Sequence, residues 1–123
     1  MGASGGNAEA PRCSIDWMMS NLVGGSPDQV PETYDLASPI THAGRSSPPT
    51  LLLQGEHDSF QPARLSHALH RKLVGAGVPS VYVEFPQTEH AFDLSLSRYA
   101  PASQMALYHV ERFVALANSA RAL

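Results

Sequence analysis

Two short apolar runs on either side of an amphipathic stretch constrain this chain more than any other feature. Thr50-Leu51-Leu52-Leu53-Gln54 and Val81-Tyr82-Val83-Glu84-Phe85 have the length and β-former content of strands. Between them, Ala63 to Ala76 carries Leu65, Ala68, Leu69, Leu73 and Ala76 at helical spacing, a stripe able to cover one sheet face. Gly75 and Gly77 terminate that helix. In a strand–helix–strand unit the two strands run parallel, and the loops leaving them emerge on the same sheet edge, where ligands usually bind. The expected class is therefore α/β, a parallel sheet with flanking helices.

Those two loops carry the chemistry. The first strand runs into Gly55-Glu56-His57-Asp58-Ser59-Phe60-Gln61-Pro62, the second into Pro86-Gln87-Thr88-Glu89-His90-Ala91-Phe92-Asp93. Asp58 and His90 are 32 positions apart, yet a shared edge lets them meet, at an expected heavy-atom separation of about 2.6–3.2 Å. A carboxylate beside an imidazole fixes its tautomer and stabilises the imidazolium that forms on proton uptake. The simpler alternatives are that Asp58 caps the helix near Pro62 and that His90 is a surface histidine. The acid and base roles are favoured by position at strand ends, each with a partner. His57 is expected to face solvent. Glu56, His57, Asp58, Glu89 and His90 lack the spacing of a helix-borne metal site, so neither metal nor cofactor is expected. His42, His67, His70 and His109 read as solvated or partly packed.

Hydrolysis through a covalent intermediate also needs a Ser, Cys or Thr against the imidazole. The G-x-S-x-G match is Gly2-Ala3-Ser4-Gly5-Gly6, which makes Ser4 the candidate nucleophile. A nucleophile elbow requires a strand before it and a helix after it. Only Met1, Gly2 and Ala3 precede Ser4, and Pro11 cuts short any helix begun at Asn7–Ala10. A frayed terminus has the same Gly/Ser-rich composition. Residues 1–12 are thus either a vestigial elbow or a poorly ordered start, with 13–123 forming a partial α/β domain.

Composition narrows the partners. The chain has 123 residues, enough for one small domain. A hydrophobic content of 43% suits a globular core, and a net charge of −3 leaves no basic field for nucleic acid or an anionic membrane. Cys13 is the single cysteine and reads as an incidental thiol, excluding an internal disulfide or a CxxC site. No apolar run approaches the ~20 residues of a membrane span. The first 20 residues show no basic-then-apolar leader, so a cytoplasmic location is the default expectation.

Elsewhere, Ser14 to Val23 reads as a short helix with Ser14 capping and Gly24-Gly25 stopping it. Ser26-Pro27-Asp28 resembles another helix start, and Pro31–Ala37 a further turn or two. Ser38-Pro39-Ile40-Thr41-His42 is expected to be extended, because proline pushes its predecessor out of the helical region, and 43–49 to be a loop. The last helix, about Ala102 to Ala120, should place Ala106, Val110, Phe113 and Ala117 on one face. No third strand is expected from the residues before Thr50. Two strands leave open edges, so the sequence reads as the end of a longer fold and is expected to self-associate through an uncovered edge.

Ser38-Pro39, Pro48-Pro49, Gly55-Glu56-His57-Asp58, Pro62 and His90-Ala91-Phe92 occur in this order. Together they resemble the C-terminal part of the α/β-hydrolase superfamily, most closely the esterase/lipase group akin to hormone-sensitive lipase. The likeness spans about residues 22–118. It implies Asp58 as triad acid, His90 as triad base, Ser4 as nucleophile if Gly2–Gly6 is the elbow, and a small-molecule carboxylic ester as substrate. Two alternatives remain open at this point: a related serine peptidase, and a non-catalytic remnant that associates with itself or another chain.

Overall fold

The computed structural model describes residues 14–94 and 99–121; Ser4 lies outside them. The chain divides into two compact units, Met1–Thr41 and His42–Leu123.

The first unit contains α1 (Ile15–Val23) and α2 (Pro31–Ala37). Extended Ser14 caps α1, its hydroxyl accepting the Trp17 N–H at 3.2 Å. Gly24 closes the helix at φ 89°, a left-handed conformation that glycine adopts without a Cβ penalty. The helix expected from Ser26 does not form. Instead the N–H groups of Gln29 and Val30 both bond to the Ser26 carbonyl at 3.0 Å, while the Gln29 side chain accepts the Ser26 N–H. Pro31 supplies no N–H to continue that turn. The extended expectation for 39–42 is also corrected: Pro39–His42 is a short helix, α3. The pre-proline restriction acts on Ser38 alone, which is extended at ψ 119°. Pro39 itself suits a first helical position, since its fixed φ is helical and the N–H it lacks would have no intrahelical partner.

The second unit is the strand–helix–strand the sequence predicts. Strand β1 (Thr50–Gly55) pairs in parallel with β2 (Ser80–Phe85), in register from Thr50↔Ser80 to Gly55↔Phe85. The connection is α4 (Ala63–Gly75), and α5 (Pro101–Arg121) follows. Alternate residues divide between the two helices. Gln54, Ser80, Tyr82 and Glu84 bond or stack with α4, whereas Leu51, Val81 and Phe85 face α5. Ala43, Leu73 and Val78 form a buried cluster flanked by Leu69 and Ala76.

Both helices are rotated slightly from their expected stripes. Leu65 is 50% exposed and Ser66 is buried in its place, because the Ser66 hydroxyl bonds to the amide oxygen of Gln54 at 2.6 Å. On α5, Ser103 and Ala106 are buried while Val110 and Val114 are exposed, and His109 meets Phe85 edge-on at 6.4 Å. On the α4 side of β2, His67 and Tyr82 both bond to Glu84, and His70 bonds to Ser80 at 2.9 Å. Among the described residues, no helix is long and apolar enough to cross a membrane.

Candidate active site

Both strands end at the same edge, and there the loop Glu56–Pro62 meets the loop Pro86–Asp93. Asp58 Oδ2 and His90 Nδ1 are 2.9 Å apart, within the separation expected from the sequence. The Asp58 side chain is 9% exposed and that of His90 47%, so the carboxylate is shielded behind an imidazole that reaches solvent.

Asp58 does not cap α4, the simpler role open to it, but ties its own loop together ahead of the helix. Its Oδ1 accepts the N–H of Phe60 at 2.9 Å and of Gln61 at 2.7 Å, leaving Oδ2 for the imidazole. α4 begins after Pro62 with no side-chain cap of its own. Desolvation acts to raise the carboxyl's pKa. The Gln61 N–H, the His90 imidazole and the Phe60 N–H outweigh it and hold the group below the usual aspartate range. Asp58 is therefore an anion at neutral pH, as an acceptor for an Nδ1–H must be.

The histidine loop is tied down from several sides. Thr88 O accepts the His57 N–H at 3.0 Å, and Glu56 Oε2 accepts the Gln87 N–H at 2.8 Å. In the opposite direction, Glu89 Oε2 accepts both the N–H and the hydroxyl of Ser59, at 3.1 and 3.0 Å. The bond from the Ser59 N–H, with that from the His90 N–H, keeps the Glu89 carboxyl ionised below its ordinary range. Gln87 and Ala91 bracket the histidine with φ of 51° and 54°. Non-glycine residues hold such conformations only where the surroundings over-determine them. Below His90, Phe92 packs on Phe85 at 4.9 Å and its carbonyl accepts the Ser103 hydroxyl of α5. Above it, the half-exposed Phe60 ring lies 5.0 Å from the imidazole, tilted by 32°.

Gly55 permits this approach of the two loops. A Cβ there would lie 2.5 Å from the Thr88 carbonyl oxygen and 2.9 Å from that of Glu89. A cleft of about 340 Å³ opens beside the pair, lined by Leu52, Gln54, Asp58, His90, Phe92 and Leu94 among others. His57 is exposed, 3.8 Å from Glu56. Among the described residues no group of three or more His, Cys, Asp or Glu is arranged to hold a metal ion.

Sequence reasoning missed Gln54, Gly55, Ser59, Ser66 and Glu89 as supports of the pair. One signal was available: a glutamine at the end of an apolar strand is a local conflict, and such conflicts concentrate at functional positions.

A parallel β–α–β unit with a carboxylate–imidazole pair at its loop edge has the architecture of an α/β-hydrolase. The chain belongs to the BD-FAE family, an esterase/lipase-type α/β-hydrolase family, whose model matches residues 6–73. That match takes in Asp58 and ends before His90. The chain is 38% identical over 85 residues to the probable carboxylic ester hydrolase LipM of Mycobacterium tuberculosis, covering 68% of this chain and 19% of LipM. It is 39% identical over 66 residues to esterase LipQ of the same organism, 53% of this chain and 16% of LipQ. A third relative is the uncharacterized peptidase YtmA of Bacillus subtilis, 36% identical over 56 residues, 46% of this chain and 22% of YtmA. The chain thus spans about a fifth of the length of these relatives.

Proposed function

We propose that this chain supplies the acid and base of a serine carboxylesterase. The observation that carries the reading is the 2.9 Å bond between Asp58 Oδ2 and His90 Nδ1. With Nδ1 engaged, Nε2 is the nitrogen left to take the proton of a serine hydroxyl as that oxygen attacks an ester carbonyl. Asp58, ionised and shielded, stabilises the imidazolium that results. The proton then passes to the departing alcohol, and water, activated by the same imidazole, releases the acyl group. Ser4 is the candidate nucleophile within this sequence.

The names of LipM and LipQ support a small-molecule ester as substrate. The likeness to YtmA supports a second reading in which the same pair serves a peptide bond. Self-association through the edges of the two-stranded sheet belongs to the same proposal.

A chimera tests the function directly: residues 48–123 of this chain replace the matching segment of LipQ. The chimera is expected to hydrolyse a short nitrophenyl ester. Asp58→Asn and His90→Ala should each lower kcat by roughly 10⁴-fold, as removal of triad members does. A folded but inactive chimera, or one that keeps its rate without His90, would remove the assignment. Faster cleavage of a peptide amide than of the ester would favour the peptidase.

A further inference from the structure

The acid–base pair rests on a side chain that lies in neither loop. Gln54 sits in the last turn of the β1 ladder, faces α4 and is 4% exposed. Its Oε1 accepts the Ser66 hydroxyl of α4 at 2.6 Å. An amide nitrogen only donates and the loop offers only acceptors, so Oε1 is left for Ser66, whose hydroxyl donates to it, and Nε2 faces the loop. There Nε2 lies 3.0 Å from the Gly55 carbonyl oxygen, 3.1 Å from that of Gln61 and 3.3 Å from Asp58 Oδ2. The first carbonyl and the last carbonyl of the Gly55–Gln61 turn, and the carboxylate between them, thus share one NH₂ group. Oδ2 is also the oxygen bonded to His90.

Among the described residues, no buried side-chain nitrogen or oxygen lacks a partner, so the buried part of the network, Ser66–Gln54–Asp58, is satisfied. A satisfied buried network rigidifies its members, whereas a partly satisfied one is costly and loosens them. The Oδ1 bonds to Phe60 and Gln61 restrain one half of the carboxylate within its own loop. Gln54 restrains the other half from the sheet, and Ser66 carries that restraint to the crossover helix.

We propose that Gln54 is the positioning residue of the Asp58–His90 pair: its amide, anchored to α4 by Ser66, aims Oδ2 at the imidazole and thereby selects the Nδ1–H tautomer of His90. The inference rests on the acid–base reading of that pair and deepens it. Gln54 makes no hydrogen bond to His90 and acts through Asp58. A second donor on Oδ2 also makes that oxygen less basic, which keeps the shared proton on the imidazole.

The test is made on the 123-residue chain without substrate. Long-range ¹H–¹⁵N spectra above neutral pH show which imidazole nitrogen is protonated, and comparison with His90→Gln assigns the signals of His90 among the six histidines. The parent is expected to show Nδ1–H at His90. In Gln54→Met, which keeps the length of the side chain and removes both bonding ends, that signature should be lost while circular dichroism stays unchanged. A folded Gln54→Met that keeps Nδ1–H overturns the proposal. Should Gln54→Met not fold, Ser66→Ala decides: weakening of the Nδ1–H signature supports the proposal, and an unaltered signature overturns it. An inactive chimera beside the expected tautomer change would remove the hydrolase reading and leave the positioning role. An active chimera with an indifferent tautomer would do the reverse.

Discussion

Asp58 divides its two oxygens between shaping its own turn and holding an imidazole, and the division has a pH consequence. Its carboxyl titrates below the ordinary aspartate range in the folded chain, while the unfolded value is about 3.9. A depressed carboxylate contributes stability that is present above the unfolded pKa and is lost as pH falls through the folded one. The free energy of unfolding should therefore drop as pH falls below about 4 and through the lowered folded value. Asp58→Asn should lower stability at pH 7 and make the acid decline shallower than in the parent. Equal acid slopes in denaturant titrations of the two proteins would show that the carboxylate gains nothing from folding. Asp58 and His90 were legible in the sequence because a strand–helix–strand unit forces its outgoing loops to one edge. Gln54 and Ser66 were not: their roles depend on which residues of strand and helix face each other, and a helical stripe read from apolar residues alone selected Leu65 over Ser66.

At the scale of elements, Gly55 sets how closely the two loops can approach. Its missing side chain leaves room for backbone carbonyls, which cannot move aside as a flexible side-chain tip would. Gly55→Ala is expected to cost about 1–3 kcal/mol, the range of a forced overpacking, and to lengthen the Asp58–His90 separation. Chemical denaturation measures the first effect and the His90 tautomer reports the second. A neutral substitution would mean that the Thr88–Glu89 backbone yields freely. The strands, α1, α4 and α5 were readable from periodicity and caps. The departures lie where a rule was extended too far. The pre-proline restriction reached Ser38 but not the residues after it, and the helix signalled by Ser-Pro-Asp at 26–28 is blocked at Pro31, which has no N–H to donate. On α5, a face chosen by counting apolar residues put Val110 inside, whereas the contact with Phe85 is made by His109.

Across the whole molecule, the described sheet has two strands, each with one unpaired edge. Such edges template association. Sedimentation of the purified chain should show a concentration-dependent increase in mass, and a strictly monomeric species at all concentrations would rule out an adhesive edge. In the same preparation, hydrolysis of nitrophenyl acetate is expected to be slow, with His90→Ala and Ser4→Ala within a few-fold of the parent. A loss of about a thousandfold in both, with circular dichroism unchanged, would instead establish Ser4 as the nucleophile and place a working triad in this chain. One consequence follows from the 32-residue separation of Asp58 and His90. The entropy of closing a loop grows only with the logarithm of its length, and contacts of modest sequence separation form early in folding. A single crossover is therefore enough to bring Asp58 to His90, with no longer-range strand pairing required. The pair and the two strands that carry it lie within one contiguous stretch of chain, Thr50 to His90.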